Sequence, residues 1–154
     1  MSEWKRTTKE VTLETLPVET ASAIRRHVEQ HNLGLILGDA LMVIQTDSQK
    51  TKTGLFGGVG TVQMAAVITP RWLVWSVAEP KTDAAVLSAQ LIDLTVQDYA
   101  QTALAERVPD SGIQVNGIFT GAGESASAFI GLDEEAAGNK FKKIVIQTAA
   151  DAKK

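Results

Sequence analysis

His27 and His31 are the two side chains whose type and spacing come nearest to a metal-binding pair in this chain of 154 residues. Four positions apart on a helix, both rings share one face, where they can chelate a transition ion. The segment reads His27-Val28-Glu29-Gln30-His31. Glu29 is one place off the H-E-x-x-H pattern of zinc peptidases, so it projects to another face and cannot serve as the general base. With no third ligand identifiable, the pair reads as a solvated helix face, and no metal is expected. Gly121 to Ala126 matches G-x-G-x-x-A after a strand-like run. A dinucleotide site needs a helix directly behind it and an acidic residue about 20 positions on. Here the chain continues as Ser127-Ala128-Phe129-Ile130-Gly131, and Lys140-Phe141-Lys142 stand where the acid belongs. A hairpin turn fits better. Gly123 to Ser127 fails the nucleophile elbow G-x-S-x-G, because Ser127 replaces the last glycine, and no G-K-[ST] of a P-loop occurs.

Among 18 carboxylates only Asp93, between Ile92 and Leu94, sits in apolar company, and a strand of period two turns it toward solvent. The absence of cysteine removes disulfides, thiolate nucleophiles, cysteine-based zinc sites and iron–sulfur clusters together. The residues therefore predict no cofactor and no catalytic machinery.

Binding residues are more promising. Asp47 to Gly60 is a loop with glycines at 54, 57, 58 and 60, and it carries Lys50 and Lys52. Backbone N–H groups freed by glycine, with lysines beside them, make a reasonable anion site. Leu55 and Phe56 stand beside those lysines and can enter a membrane interface. Two lysines supply only about 1 kcal/mol each near an anionic surface, against a net charge of −3. A hairpin loop with Leu55 and Phe56 on the core rim is the simpler reading. The other candidates are Arg71 and Trp72, at the turn Thr69-Pro70-Arg71-Trp72. Tryptophan is enriched at interface hot spots. Trp72 and Trp75, three apart on a strand, point to opposite faces, so one belongs to the core and the other lies under a helix or partly in solvent. Nucleic acid is disfavoured: the balance is acidic, Arg25 and Arg26 are the only adjacent arginines, and no basic stripe with stacked aromatics appears.

These residues must be positioned by a predictable set of elements. The polar start, MSEWKRTTKE, has no apolar signal region and reads as a flexible tail over 1–12, with Val11 and Leu13 alternating as a short edge strand. No apolar run approaches the roughly 20 residues that span a bilayer, so a cytoplasmic location is expected. A helix is predicted from Pro17, its first helical residue, to a stop at Asn32 and Gly34. Ala21, Ile24 and Val28 give it a narrow apolar stripe. Leu41 to Thr46 reads as a strand. Thr61 to Ala78 reads as an apolar hairpin with Pro70 in its turn. Residues 84–107 carry both helical and alternating spacings. The alternation over 85–98 shifts phase between Leu91 and Ile92, as at a bulge or a sheet corner, so strand is preferred there and a short helical or irregular piece over 99–107. Two further strands surround Val115 and Ile130. A helix from about Glu134 to Ala152, N-capped by Asp133, presents Ala137, Phe141, Ile144, Val145 and Thr148 on one face.

That order of elements resembles the pleckstrin-homology superfold in its bacterial PH-like or GRAM-like form. The resemblance is carried by AVITPRWLVW, AVLSAQLIDLTVQDY, GIQVNGIF, SAFIGL and the helix EEAAGNKFKKIVIQTA, over roughly residues 33–152. It implies an α+β fold: a PH-like antiparallel β-barrel or sandwich over 13–154, capped by the C-terminal amphipathic helix, with an extra N-terminal helix. It also implies a non-catalytic domain that binds a protein partner or a second copy of itself, through a sheet edge or the tryptophan face. The alternative it offers is a peripheral module for anionic lipid, because an early loop in such domains gathers basic residues against phosphoinositide phosphates. The pattern there wants a further Arg or Lys two residues after the second lysine, where this chain has Gly54.

Overall fold

Thr61–Ile68 (β3) and Trp72–Ala78 (β4) are apolar on both faces, so a layer has to cover each side of the hairpin they form. Met64, Ala66, Ile68, Leu73 and Trp75 face one way, and Ala65, Val67 and Val74 the other. The computed structural model describes residues 4–50, 60–80 and 82–154, and in it both layers are present. The remaining strands are Trp4–Val11 (β1), Met42–Lys50 (β2), Ala85–Gln90 (β5), Leu94–Asp98 (β6), Gly112–Ile118 (β7) and Ser125–Gly131 (β8). Helices run over Val18–Gln30 (α1) and Ala136–Ala152 (α2). Antiparallel sheets of order β1-β2-β3-β4-β5 and β6-β7-β8 make an α+β architecture, and the described strands do not close into a barrel. The main core lies between the two sheets and α2, which sends Phe141, Val145 and Ala149 into it. Filling that space with Phe141 alone is worth about 3–5 kcal/mol relative to alanine. A second core lies under α1, where Leu16, Ala21 and Ile24 meet Val43, Ala65, Val67 and Val74. No described helix is long and apolar enough to cross a membrane.

The expected tail is, from Trp4 onward, a strand. β1 pairs with β2 from Trp4↔Lys50 to Val11↔Val43. Its polar composition hid it because its inward residues are held by polar partners rather than by apolar packing. Thr8 Oγ1 meets Thr46 Oγ1 at 2.8 Å, and Thr8 N–H donates to Asp133 Oδ2 at 2.8 Å. Arg6 makes a bidentate pair with Asp110, Nε to Oδ1 at 2.8 Å and Nη2 to Oδ2 at 2.6 Å. Asp133 is therefore a tie to the edge strand and not the N-cap of α2, which is Glu135, with the helix beginning at Ala136.

The corner lies where the alternation shifts phase. After β5 the chain makes a single 3-10 turn, Leu91–Asp93, and leaves the larger sheet for the smaller one. Ala89, Leu91 and Leu94 stay in the core while Ile92 and Asp93 are turned out. Asp93 is thus exposed on a turn rather than on a strand. Residues 99–101 and 103–106 are short 3-10 turns. At its start α1 has Pro17 as its N-cap rather than as its first helical residue. Its end is the stop signalled by Asn32 and Gly34, with φ of 54° and 84°. Leu33 N–H bonds Val28 O at 3.0 Å and Asn32 N–H bonds Glu29 O at 3.1 Å, the paired bonds of a Schellman ending.

Candidate functional site

The strand directions put Lys50 at one end of the five-stranded sheet and Arg71 and Trp72 at the other. Lys50 ends β2 beside the start of β3, where its N–H donates to Gly60 O at 2.6 Å. Lys52, Leu55 and Phe56 lie outside the described residues. Arg71 and Trp72 sit at the far end of β3, about 25 Å away at the usual strand rise, so they share no site with Lys50. Near Lys50 a recess of about 570 Å3 is walled by Glu19, Asp47 and Glu79, a set of carboxylates that opposes an anionic ligand.

At the other end the hairpin turn is held tightly. Thr69, buried at 2% exposure, accepts the N–H groups of Trp72 (2.9 Å) and Arg71 (3.3 Å) on Oγ1, and its own N–H donates to Trp72 O at 2.9 Å. Leu91 N–H donates to Arg71 O at 2.8 Å, and Leu41 N–H to Ile68 O at 2.7 Å. The Lys153 ammonium, at the end of α2, donates to the carbonyls of Leu91 and Leu94. The turn, the start of β2, the sheet corner and the last turn of α2 are thereby gathered around one recess of about 620 Å3. Leu41, Pro70, Arg71, Ile92, Asp151 and Ala152 line it. Leu41 is 50% and Ile92 58% exposed. Trp72 is partly exposed on the α1 side of β4, whereas Trp75, on the opposite face, is buried edge-on against Phe119 with ring centroids 5.1 Å apart.

Leu41 ends a run, Leu33-Gly34-Leu35-Ile36-Leu37-Gly38-Asp39-Ala40-Leu41, that carries the chain from α1 to β2. It is among the most apolar connections in the sequence, yet none of its residues is buried. Leu35 is 95% exposed. Between this run and α1 lies a second recess, about 760 Å3, lined by Arg25, Val28, Glu29, Leu35 and Leu37 among others. Read as a sequence, the run is core-like; what marks it as a connection is the two glycines within it, Gly34 and Gly38, and it folds there as a 3-10 turn, Ile36–Asp39, with no buried residue.

The histidine pair is not the solvated face expected from its spacing. His31 is exposed, but His27 is buried, with Nε2 2.8 Å from Ser88 Oγ. Ser88 Oγ in turn donates to Thr120 Oγ1 at 2.7 Å. The two rings lie 4.5 Å apart, and His31 covers Gly121, where an added Cβ would meet its ring at 3.2 Å. Burial, and secondarily the neighbouring His31, lowers the His27 pKa below its ordinary value. Although Ser88 and His27 form a hydroxyl–imidazole contact, Ser88 is fully buried and spends its hydrogen on Thr120, so the arrangement ties α1 to β5 and offers no nucleophile. Among the described residues no group of three metal-ligating side chains converges. The sequence could not reveal the tie, because Ser88 and Thr120 lie 61 and 93 positions from His27.

Arg6 and Asp110, 104 positions apart, escaped notice for the same reason. Their side chains are only 8% and 12% exposed, Arg6 Nη1 also donates to Ser48 Oγ at 2.6 Å, and the guanidinium lies 5.4 Å from the Trp4 ring centre and 5.2 Å from that of Phe129. The cluster is saturated with internal partners and locks β1 to the smaller sheet. Comparison with models of protein families, with characterised proteins and with solved structures returns no match to this chain.

Proposed function

We propose that the chain is a non-catalytic interaction domain of PH-like construction, which engages a protein partner at the hairpin end. The order of strands, the corner after β5 and the capping helix α2 support the PH-like reading. The observation that carries the partner site is the pair of half-exposed aliphatic side chains, Leu41 and Ile92, flanking Arg71 at the mouth of one recess. Aliphatic anchors beside an arginine, on a backbone fixed by Thr69 and Lys153, are what a protein interface needs: apolar area to bury, a directional cation, and little motion to freeze. The carboxylates near Lys50 weigh against the anionic-membrane alternative.

The test uses the immobilised full chain, its Leu41→Asp/Ile92→Asp variant and its Lys50→Ala variant against lysate of the source cells. Proteins enriched on the wild type and on Lys50→Ala, but lost from Leu41→Asp/Ile92→Asp, are the expected result. Retention of the same proteins by Leu41→Asp/Ile92→Asp, or no enrichment at all, overturns the site. Co-sedimentation with phosphatidylserine vesicles should match that with phosphatidylcholine vesicles; selective binding lost in Lys50→Ala would establish the lipid reading instead.

A further inference from the structure

We infer that the recess between α1 and residues 34–38 is a self-association site, occupied by the same surface of a second copy around a two-fold axis. The patch carries a projection and a cavity side by side. Leu35 stands out at 95% exposure on the rim of a recess of about 760 Å3 whose apolar wall is Val28 and Leu37. A surface that presents both knob and hole can satisfy itself when two copies meet isologously, each Leu35 entering the recess of the other. Leu35 is also held in place. Gly34, with φ of 84°, follows the Schellman ending of α1, and Leu35 O accepts the Gly38 N–H at 3.2 Å to begin the 3-10 turn. A braced backbone leaves only the side-chain rotamers of Leu35 to be frozen when it is buried in an interface.

The charges on the recess make the same choice of occupant. Arg25 and Glu29 both line it and lie four apart on α1, one turn from each other. When two α1 helices run antiparallel across a two-fold axis, Arg25 of each copy lies opposite Glu29 of the other, and two reciprocal ion pairs form. A partner of single-sign charge would leave either Arg25 or Glu29 facing its own kind. The present partner of Arg25 is Glu14 at 3.8 Å, with side chains 51% and 77% exposed, a solvent-screened contact that is easily exchanged. This surface differs from the one holding Leu41 and Ile92, so the two proposals stand or fall separately.

Sedimentation equilibrium of the full chain tests the inference. The wild type should pass from 16.5 kDa to twice that mass as concentration rises from micromolar toward millimolar. Leu35→Asp should weaken association about thirtyfold or more, the effect of losing a central anchor, with an unchanged thermal melt at dilutions where both proteins are monomeric, because the position is in solvent there. Arg25→Glu should weaken it too, and Arg25→Glu/Glu29→Arg should restore it, because reversing both charges preserves the reciprocal pairs. Leu41→Asp/Ile92→Asp should dimerise like the wild type. A wild type that stays at 16.5 kDa throughout, a Leu35→Asp variant that associates normally, or a double reversal that fails to recover association overturns the inference.

Discussion

Replacing Arg6 with methionine tests whether β1 is bound to the domain by the clasp. The substitution keeps an apolar stem of similar reach beside Phe129 and Trp4 but removes both bonds to Asp110 and the bond to Ser48 Oγ. Breaking a buried ion pair from one side costs about 3–5 kcal/mol, because the surviving charge keeps its burial and loses its partner. The two side chains are 8% and 12% exposed, so some water reaches the carboxylate and a loss of about 2–4 kcal/mol is expected. Asp110→Asn keeps the shape and the acceptor for Ser111 N–H, which Oδ1 takes at 2.8 Å. The double variant should then be less destabilised than the sum of the singles by about 1–3 kcal/mol, as for any directly coupled pair. Urea unfolding followed by tryptophan fluorescence measures all four proteins, since Trp75 is buried in the main core. An unchanged m-value would show that the loss is one of stability rather than of cooperativity. If Arg6→Met lies within about 0.5 kcal/mol of the wild type, as substitutions on open surface do, the clasp contributes nothing and the reasoning fails.

Three further outcomes follow from local geometry. His27 has its pKa lowered by burial and by His31, while β4, β5 and residues 118–122 bring no ionisable side chain against it. The unfolded chain thus binds more protons than the folded one below an ordinary pKa of about 6.5. Stability should be complete above that pH and fall as the pH drops from 6.5 toward the lower folded value; urea melts should show His27→Gln losing less than the wild type between about pH 7.5 and 5, and equal losses would refute this. At Gly117, φ is 157° and an added Cβ would stand 2.1 Å from Asp93 O, whereas at Gly123 nothing lies within 4 Å. Gly117→Ala should cost more than about 2 kcal/mol and Gly123→Ala should stay within about 0.5 kcal/mol, a ranking that thermal melts can reverse. Thr69→Val deprives Trp72 and Arg71 N–H of their acceptor and should cost about 1–3 kcal/mol; a melt matching the wild type would remove the turn's claim to rigidity.

The membership of strands and helices was written locally. The apolar spacing of Phe141, Ile144 and Val145, the apolar runs on either side of Pro70, the stop at Asn32 and Gly34, and the phase shift at Leu91 and Ile92 each depend on a few neighbouring residues. Each survives in the fold because helical and strand periodicity are short-range properties. Errors arose where a residue's environment depends on distant chain. β1 looked like a tail because the strand it pairs with, β2, and the carboxylates that hold it, Asp110 and Asp133, all lie far along the chain. His27 looked solvated because Ser88, 61 positions on, is what buries and holds it.

The candidate site divides along the same line. The sequence alone identified Arg71 and Trp72 as residues of a turn and Lys50 as part of the loop Asp47 to Gly60, whereas β2 runs on to Lys50. Only the antiparallel pairing of β2, β3 and β4 sent them to opposite ends, and only packing left Leu35, Leu41 and Ile92 in solvent. Apolarity along a chain reports how much a segment gains from burial; which segments are buried is decided by the limited inner surface of two sheets and two helices. Ile36, Leu37 and Ala40 pack partly against the core under α1, whereas Leu35, Leu41 and Ile92 were left outside it; Leu35 anchors one proposal, Leu41 and Ile92 the other.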